Sequence, residues 1–204
     1  MITISADQIK AAENAVKGFY MKDRTGHGWD HIMRVKNLAI KIAEIEGVQN
    51  INLIECISLL HDAGDEKLHD TRQSAESFLH QTISQLYLNE TEEAYLLHQV
   101  KSVSYRNRHL YQGDLESKIV SDADRLDALG AIGVARAFTY GGAHEQKMHS
   151  YKTGEPTVIA HFNEKLLHLK DEMHTKTAYK IAIERDRFLN LFKDQFLNEW
   201  NGKK

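Results

Sequence analysis

The sequence predicts an all-α fold, and two observations carry this prediction. The chain has 204 residues and a single Pro, so little in it would interrupt a helix. Apolar residues recur at intervals of three and four along almost the whole length, which is the spacing that gives a helix one buried face. No Gly- or Ser-rich linker divides the chain. We therefore expect one domain over residues 1–204, a helical bundle of about eight helices.

The first two predicted helices each have a recognisable end. Ser5 is a favourable N-cap, and the helix after it is predicted to extend to about Lys22. The second helix is predicted to begin near Asp30 and to end at Gly47, because glycine commonly ends a helix in the left-handed conformation. Its predicted inner face consists of Val35, Leu38, Ile42 and Ile45.

Three shorter helices are predicted next, each preceded by a polar residue that can cap it. Asn50 is expected to cap an apolar third helix that ends at Ala63-Gly64. Asp70 is expected to cap the fourth helix, and either Asn89 or Thr91 opens the fifth. Side-chain oxygens at these positions can accept a hydrogen bond from the first turn of the helix.

The C-terminal half is predicted to contain three longer helices and one loop. The sixth helix is predicted from Leu115 to Phe138, and the segment from Tyr140 to Pro156 is predicted to be a loop because it is polar and has no period. Two helices follow, from about Thr157 to Met173 and from Thr175 to Trp200. We expect these last two helices, residues 157–204, to pack on the bundle.

Composition limits the classes of function. The formal net charge of −3 argues against a general affinity for nucleic acid, which needs a basic excess. The lone Cys56 excludes an internal disulfide framework and is expected to be a buried small side chain. The N-terminus lacks the pattern of a secretory signal, and no apolar run approaches the ~20 residues of a membrane span. We expect a cytoplasmic protein with no membrane partner.

His31 and the doublet His61-Asp62 are the first candidates for a metal site. His31 shares the inward helical face of Val35 and Leu38; the alternative is a core histidine hydrogen-bonded to a carbonyl. A second doublet, His69-Asp70, is explained by a helix cap.

Charge separates the two His-Asp doublets. Asp62 follows an apolar helix, at the end where the helix dipole is negative. Asp65 and Glu66 add two more carboxylates nearby. These charges repel one another and the dipole, and a divalent cation would reverse that penalty. The doublet His61-Asp62 is therefore the one predicted to bind metal.

A third group of acids lies in the predicted sixth helix. The segment 121–130 carries Asp122, Asp124 and Asp127 among buried apolar positions. Three acids on a buried helix favour a functional interpretation, and for one of them an ion pair with Arg125 or a lysine is the alternative. Periodicity does not choose the acid that faces the metal.

In combination these residues resemble the HD-domain superfamily of metal-dependent phosphohydrolases. The family pattern is a His, a His-Asp doublet and a later Asp on a helical bundle, and the matching segments are residues 28–35, 59–67 and 122–133. The segment 161–167, with Thr175 and Arg185, is similar to the C-terminal part of a small bacterial branch whose members resemble nucleotide pyrophosphohydrolases. The resemblance covers most of the chain.

The resemblance implies a ligand set and a water-orienting acid. The implied metal ligands are His31, His61, Asp62 and Asp124. Asp65 occupies the position where many members carry a Glu that orients the attacking water, and Glu66 is the alternative. Two imidazoles and two carboxylates suit borderline or hard ions. We expect one divalent ion, Mn²⁺, with Fe²⁺, Zn²⁺, Mg²⁺, Ni²⁺ and Co²⁺ as alternatives.

Cations near these ligands are the candidates for substrate contacts. Each has an alternative: Arg34 could pair with Asp30 at i−4, Lys67 could be solvated, and Arg125 could neutralise Asp122. His27 either contacts substrate or caps a turn. A basic and aromatic stretch, consisting of Lys101, Tyr105, Arg106, Arg108 and His109, could hold a polyphosphate or could be a solvated helix end.

The function implied by the resemblance is hydrolysis of nucleoside triphosphates to monophosphate and pyrophosphate. The alternatives are a nucleoside monophosphate phosphatase, an alarmone hydrolase, and a sensor that binds nucleotide or metal without turnover. The expected partner is a small nucleotide, and a homodimer is possible.

Overall fold

The computed structural model of the protein describes residues 2–104, 106 and 110–203. Over these residues the chain forms helices, turns and loops and no β-strand, which confirms the all-α prediction. The α-helices in this part of the chain are α1 (Ala6–Tyr20), α2 (Trp29–Glu46), α3 (Ile51–Leu60), α4 (Arg72–Ser84), α5 (Glu90–Val103), α6 (Leu115–Asp127), α7 (Gly130–Ala143), α8 (Val158–Glu164) and α9 (Lys176–Trp200). Two 3₁₀ helices cover Glu66–Leu68 and Leu166–Glu172.

The chain separates into two compact units. The first contains the chain up to Asp23 together with His27–Ala123, and the second contains Arg24–Gly26 and the chain from Asp124 onward. The prediction of a single domain, with residues 157–204 packed on the bundle, stays a prediction.

Helix α3 is the centre of the first unit. Helices α1, α2 and α5 pack on it, and α4 packs on α1 and α5. Its side chains Leu53, Ile54, Ile57, Leu59 and Leu60 are fully buried. Because α3 is enclosed by other helices, the residues that follow its last turn are held at a defined place in the unit.

The predicted caps Ser5, Asn89 and Gly47 are confirmed, whereas Asn50 stands at the N-cap of α3 but its side chain accepts no hydrogen bond from the helix. Ser5 and Asn89 each form a capping box with the residue three positions on. Thr175 accepts a hydrogen bond from the N–H of Ala178 at the start of α9. Gly47 ends α2 with φ of 74°, in the left-handed region that glycine enters without steric cost.

Two details of the N-terminal prediction are wrong. The side chain of Thr71, and not that of Asp70, caps α4 by accepting a hydrogen bond from the N–H of Ser74. Ile45 is 61% exposed, so it does not belong to the inner face of α2. Val35 and Ile42 are buried as predicted, together with Ala39 and Ala43.

Two predicted long helices are broken. The predicted helix from Leu115 to Phe138 divides into α6 and α7, because Leu129 adopts an extended conformation as the N-cap of α7 and Gly130 has φ of 69°. Helix α7 continues to Ala143, so Tyr140 is helical and the predicted loop begins later. The predicted helix from Thr157 to Met173 divides at Lys165 into α8 and the second 3₁₀ helix.

The second unit has an aromatic core. Helix α9 packs on α7 and on the second 3₁₀ helix, which also packs on α8. Four rings fill the space between α7, α8 and α9, with centroids 5.8–6.3 Å apart; they belong to Phe138, Phe162, Phe192 and Phe196. Such spacings are typical of favourable aromatic packing. None of the helices described here is both long and apolar enough to cross a bilayer.

Cys56 is expected to be unreactive in the folded protein. Burial, and secondarily the charge of Glu55, raises the pKa of its thiol to about 12, and its side chain has no exposed surface. The thiolate is the reactive form. We expect labelling by a thiol reagent at pH 8 to be at least about 10³-fold slower than in denaturant. Rapid labelling of the folded protein would contradict the described packing of α3.

Candidate metal centre

Three predicted ligands meet at the end of α3. His61 is the C-cap of α3 and Asp62 follows it, while His31 lies in the first turn of α2. Asp62 Oδ2 lies 3.4 Å from His31 Nε2 and 3.5 Å from His61 Nε2. One ligand atom from each residue lies within 4.8 Å of the other two. The packing of α2 on α3 thus brings together residues that are distant in sequence.

The protonation of His61 is set by a backbone carbonyl. Its Nδ1 lies 2.8 Å from the carbonyl oxygen of Ser58, and a carbonyl can only accept a hydrogen bond. Nδ1 therefore carries the proton, and the lone pair of the neutral ring is on Nε2, the atom that faces Asp62. This is the arrangement by which proteins orient a histidine toward a metal.

The donor set fits a divalent cation. Asp62 Oδ2 is buried, and no hydrogen bond from the described residues satisfies it. Burial raises the pKa of the Asp62 carboxyl, but the imidazoles of His61, His31 and His27 outweigh burial and hold the pKa well below its usual range. A buried carboxylate beside two imidazole nitrogens has the chemistry of a site for Mn²⁺, Fe²⁺ or Zn²⁺.

The junction of α1 and α2 positions His31. Gly28 is the N-cap of α2, and a Cβ at Gly28 would lie 3.2 Å from the carbonyl oxygen of Tyr20 and 3.3 Å from that of Asp23. The N–H of His27 donates to the carboxylate of Asp23. A side chain at position 28 would require these two carbonyl groups to shift by a few tenths of an ångström at the start of the helix that carries His31.

The loop after Asp62 is fixed at two points. His69 Nε2 lies 2.8 Å from the carbonyl oxygen of Ala63, and its ring stacks on Phe19 at 4.7 Å. A Cβ at Gly64 would lie 3.0 Å from Leu79, so the loop lies directly against α4. His69, which belongs to the doublet not predicted to bind metal, therefore has a structural role.

Residues 65–67 lie in this loop, and the side chains of Asp65 and Glu66 have different bonding partners. Asp65 Oδ1 accepts a hydrogen bond from the N–H of Lys67 at 2.9 Å. Glu66 forms ion pairs with Arg106 at 2.9 Å and with Arg72 at 3.6 Å. The catalytic roles of Asp65 and Glu66 and the phosphate contact of Lys67 stay predictions. Tyr105, Arg108 and His109 of the basic stretch lie outside the described residues.

Two predicted substrate contacts lie beside the cluster in sequence. The ring of His27 is 5.9 Å from that of His31, and His27 contributes to the lowered pKa of Asp62. Arg34 is half-buried, one turn after His31 on α2. The structure thus places His27 near the candidate ligands, and the contact of either residue with substrate stays a prediction.

The remaining predicted residues lie in the second unit. Asp124 is a half-buried residue of α6, and its role as fourth ligand stays a prediction. Asp127 pairs with Arg136 at 3.1 Å, so one of the acids of this segment forms an ion pair, although not with the residue predicted. Arg125 is buried and donates to the carbonyl of Glu172 and to His174; its contact with substrate stays a prediction.

Sequence reasoning missed two groups near the cluster. The hydroxyl of Tyr20 is buried close to Asp62 and Asp65, and nothing in the local sequence distinguishes Tyr20 from a core residue. The carbonyl of Ser58 could have been found, because it lies three residues before His61 on the same helix.

Comparison with known proteins gives a family match over the part of the chain that contains the site residues. The HD domain model matches residues 28–129, a span that contains all four predicted ligands. YpgQ of Bacillus subtilis is 36% identical over 201 residues, which cover 96% of each chain.

Three solved structures are similar over nearly the whole chain. A protein of Lactobacillus plantarum has a TM-score of 0.86 and 31% identity, covering 98% of this chain and 100% of that one. An HD-superfamily hydrolase of Bacillus thuringiensis has a TM-score of 0.74 and 39% identity, covering 96% and 97%. The structure of YpgQ in complex with ADP has a TM-score of 0.74 and 33% identity, covering 95% and 100%.

Proposed function

The chain belongs to the HD domain family, and we propose on that basis that it is a divalent-metal-dependent phosphohydrolase. The observation that carries the proposal is the convergence of His31, His61 and Asp62 on one point. The proposed ligands are these three residues and Asp124, and the proposed metal is Mn²⁺.

We further propose that the substrate is a nucleoside triphosphate, which is split to monophosphate and pyrophosphate. YpgQ, a relative over nearly the whole chain, has been crystallised with ADP, which supports a nucleotide ligand for this fold. The net charge of −3 favours a small phosphate compound over a nucleic acid, because nucleic acids attract proteins with basic surfaces.

The proposed reaction assigns one task to each group. A divalent cation supplies charge neutralisation at a phosphate oxygen and lowers the pKa of a water. Asp65 accepts the proton of the attacking water, and its Oδ2 is the oxygen for this task because Oδ1 accepts from Lys67. The water oxygen bonds to the α-phosphorus, the bond from that phosphorus to the bridging oxygen breaks, and pyrophosphate leaves. Arg34, Lys67, Arg125 and His27 are the proposed phosphate and substrate contacts.

A nucleotide panel tests this proposal. The purified protein, assayed with each common ribo- and deoxyribonucleoside triphosphate and with Mn²⁺, Mg²⁺ or Zn²⁺, is expected to form monophosphate and pyrophosphate in equal amounts. Chromatography of the products distinguishes this reaction from stepwise release of phosphate. EDTA is expected to stop turnover, and excess Mn²⁺ is expected to restore it.

The same panel separates the alternatives. Release of phosphate from monophosphates, or of pyrophosphate from guanosine polyphosphates, would replace the triphosphate with a phosphatase or an alarmone hydrolase. Tight nucleotide binding with no turnover under any metal would indicate a sensor and would contradict the proposed hydrolysis.

A further inference from the structure

The imidazole ring of His69 packs against two phenylalanines from different helices of the first unit. It stacks on Phe19 of α1 with ring centroids 4.7 Å apart, and its centroid is 5.4 Å from that of Phe78 of α4. The two phenylalanine rings are themselves 4.6 Å apart. Aromatic rings attract one another at these distances. The ring of His69 is therefore held by α1 and α4, and the direction of its nitrogen atoms is defined.

One of these nitrogens bonds to the residue that follows Asp62. His69 Nε2 lies 2.8 Å from the carbonyl oxygen of Ala63. A carbonyl can only accept a hydrogen bond, so Nε2 carries the proton and is the donor. Ala63 has no exposed surface, and a buried carbonyl that loses its donor lowers stability. We therefore expect this bond to be kept throughout the folded state.

The bond closes a loop that carries two residues of the proposed reaction. Asp62, a proposed ligand, directly precedes the bonded carbonyl. Asp65, the proposed base, lies inside the loop that ends at His69. The N–H of Asp65 donates to the carbonyl of Asp62 at 3.0 Å, and the N–H of Lys67 donates to Asp65 Oδ1 at 2.9 Å. A bond between the two ends of so short a loop restricts the backbone at both acids.

We propose that His69 is a positioning residue of the active site, whose Nε2–H holds the carbonyl of Ala63 and thereby fixes the backbone at Asp62 and Asp65. This inference rests on the proposed function, which assigns metal binding to Asp62 and proton transfer to Asp65. The role requires no contact between His69 and the metal or the substrate. Groups that orient metal ligands through hydrogen bonds typically change metal affinity or activity by about 10- to 100-fold when they are removed.

Two substitutions separate the donor from the ring. His69→Phe keeps an aromatic ring against Phe19 and Phe78 and removes the donor. His69→Gln removes the ring and keeps a donor, because its amide nitrogen is as many bonds from Cα as Nε2 of histidine is. In His69→Phe we expect the dissociation constant for Mn²⁺, measured by calorimetry, to rise about 10-fold, and kcat at saturating Mn²⁺ to fall about 10- to 100-fold. In His69→Gln we expect both to stay within about 3-fold of the wild type.

The matched control is His98 of α5. Its Nε2 lies 3.0 Å from the carbonyl oxygen of Gln112, and its ring centroid is 5.4 Å from that of Tyr111. It thus makes the same kind of bond to a segment that carries none of the proposed site residues. His98→Phe is expected to keep wild-type Mn²⁺ affinity and kcat.

A second loss variant covers the case in which His69→Phe does not fold. The amide nitrogen of asparagine is one bond closer to Cα than Nε2 of histidine, so His69→Asn is polar and cannot reach Ala63. It is expected to show the same losses as His69→Phe. The melting temperature of each metal-free variant identifies those that are folded at the assay temperature.

The outcomes separate the two proposals. Wild-type Mn²⁺ affinity and kcat in the folded loss variants would overturn the role of His69, as would equal losses in His69→Gln, which would attribute the effect to the ring. Losses of the same size in His98→Phe would indicate a general loss of stability and would also overturn it. A wild-type protein that binds Mn²⁺ but hydrolyses no phosphate compound would overturn the proposed hydrolysis, and the Mn²⁺ affinities of the variants would still test the positioning of Asp62.

Discussion

Asp62→Asn is expected to abolish hydrolysis, with a loss in kcat of about 10³-fold or more. The substitution keeps the size of the side chain and removes its charge. Oδ2 of Asp62 is the atom that lies between the two Nε2 atoms, 3.4 and 3.5 Å away, so the change removes the only negative charge among the three clustered side chains. The amide would also present a donor where a ligand is needed, in one of its two orientations.

The chain supplies its own control in the second His-Asp doublet. Asp70→Asn makes the same chemical change at an exposed residue that does not cap α4. We expect Asp70→Asn to retain wild-type kcat and Mn²⁺ affinity. Steady-state assays and calorimetric titration with Mn²⁺ measure both properties in each variant.

Two results would contradict the assignment of Asp62. Comparable activity in Asp62→Asn and the wild-type protein would show that the cluster is not the reacting site. A melting temperature of metal-free Asp62→Asn far below that of the wild type would attribute the loss to folding. We expect a moderate fall, because the imidazoles outweigh burial and lower the pKa of Asp62, so that its carboxylate contributes to stability at neutral pH.

The contrast between the two doublets shows what a sequence can reveal about a site. The argument from charge selected His61-Asp62 because three carboxylates follow the negative end of an apolar helix, and the structure places Asp62 against two imidazoles. That argument uses only residues close in sequence. His31 was found because it lies on the apolar face of its predicted helix. The structure buries that face of α2, which packs on α3.

Other features of the site depend on contacts that no local pattern records. Tyr20 has the spacing of an ordinary core residue, and only the fold brings its hydroxyl near Asp62 and Asp65. Glu66 was a candidate for catalysis, and its ion pair with Arg106, forty residues away in sequence, could not be read from the spacing. The choice among Asp122, Asp124 and Asp127 came from the family resemblance.

Some helix ends could be predicted from neighbouring residues, and others could not. Ser5 was predicted correctly, and Asn89 was one of two predicted alternatives, because a cap is an interaction over three residues. Asp70 and Thr71 are both good caps and adjacent, so sequence alone could not choose between them. The break between α6 and α7 was missed because apolar spacing continues through Leu126 and Leu129, and periodicity does not detect a change of direction.

Gly133→Ala is expected to destabilise the protein more than other small substitutions, because it acts on that break. The N–H of Gly133 donates to the carbonyl of Leu129 in the first turn of α7. A Cβ at this position would overlap the carbonyl group of Ala128. Since that group is backbone and not a flexible side chain, relief requires the turn between the helices to move. We expect a loss of about 3 kcal/mol.

The matched control lies on the same helix. Gly142 is exposed, and no atom lies within 4 Å of the place that a Cβ would occupy. Gly142→Ala is expected to leave stability unchanged or to raise it by up to about 1 kcal/mol, because alanine favours the helix over the unfolded chain. Thermal unfolding followed by circular dichroism should give a fall of about 6–12 °C for Gly133→Ala and no fall for Gly142→Ala.

The substitution at Gly133 is also expected to affect the hydrogen bonds of Arg136, another residue of α7. Arg136, less than one turn after Gly133, donates to Asp127 and to the carbonyl of Gly26. A shift of the turn would separate Arg136 from Asp127 at the end of α6. Gly133→Ala should therefore reduce the effect of a second substitution, Arg136→Gln, so that the double variant loses less stability than the sum of the two single variants. Additive losses would show that the turn tolerates the new methyl group without moving Arg136.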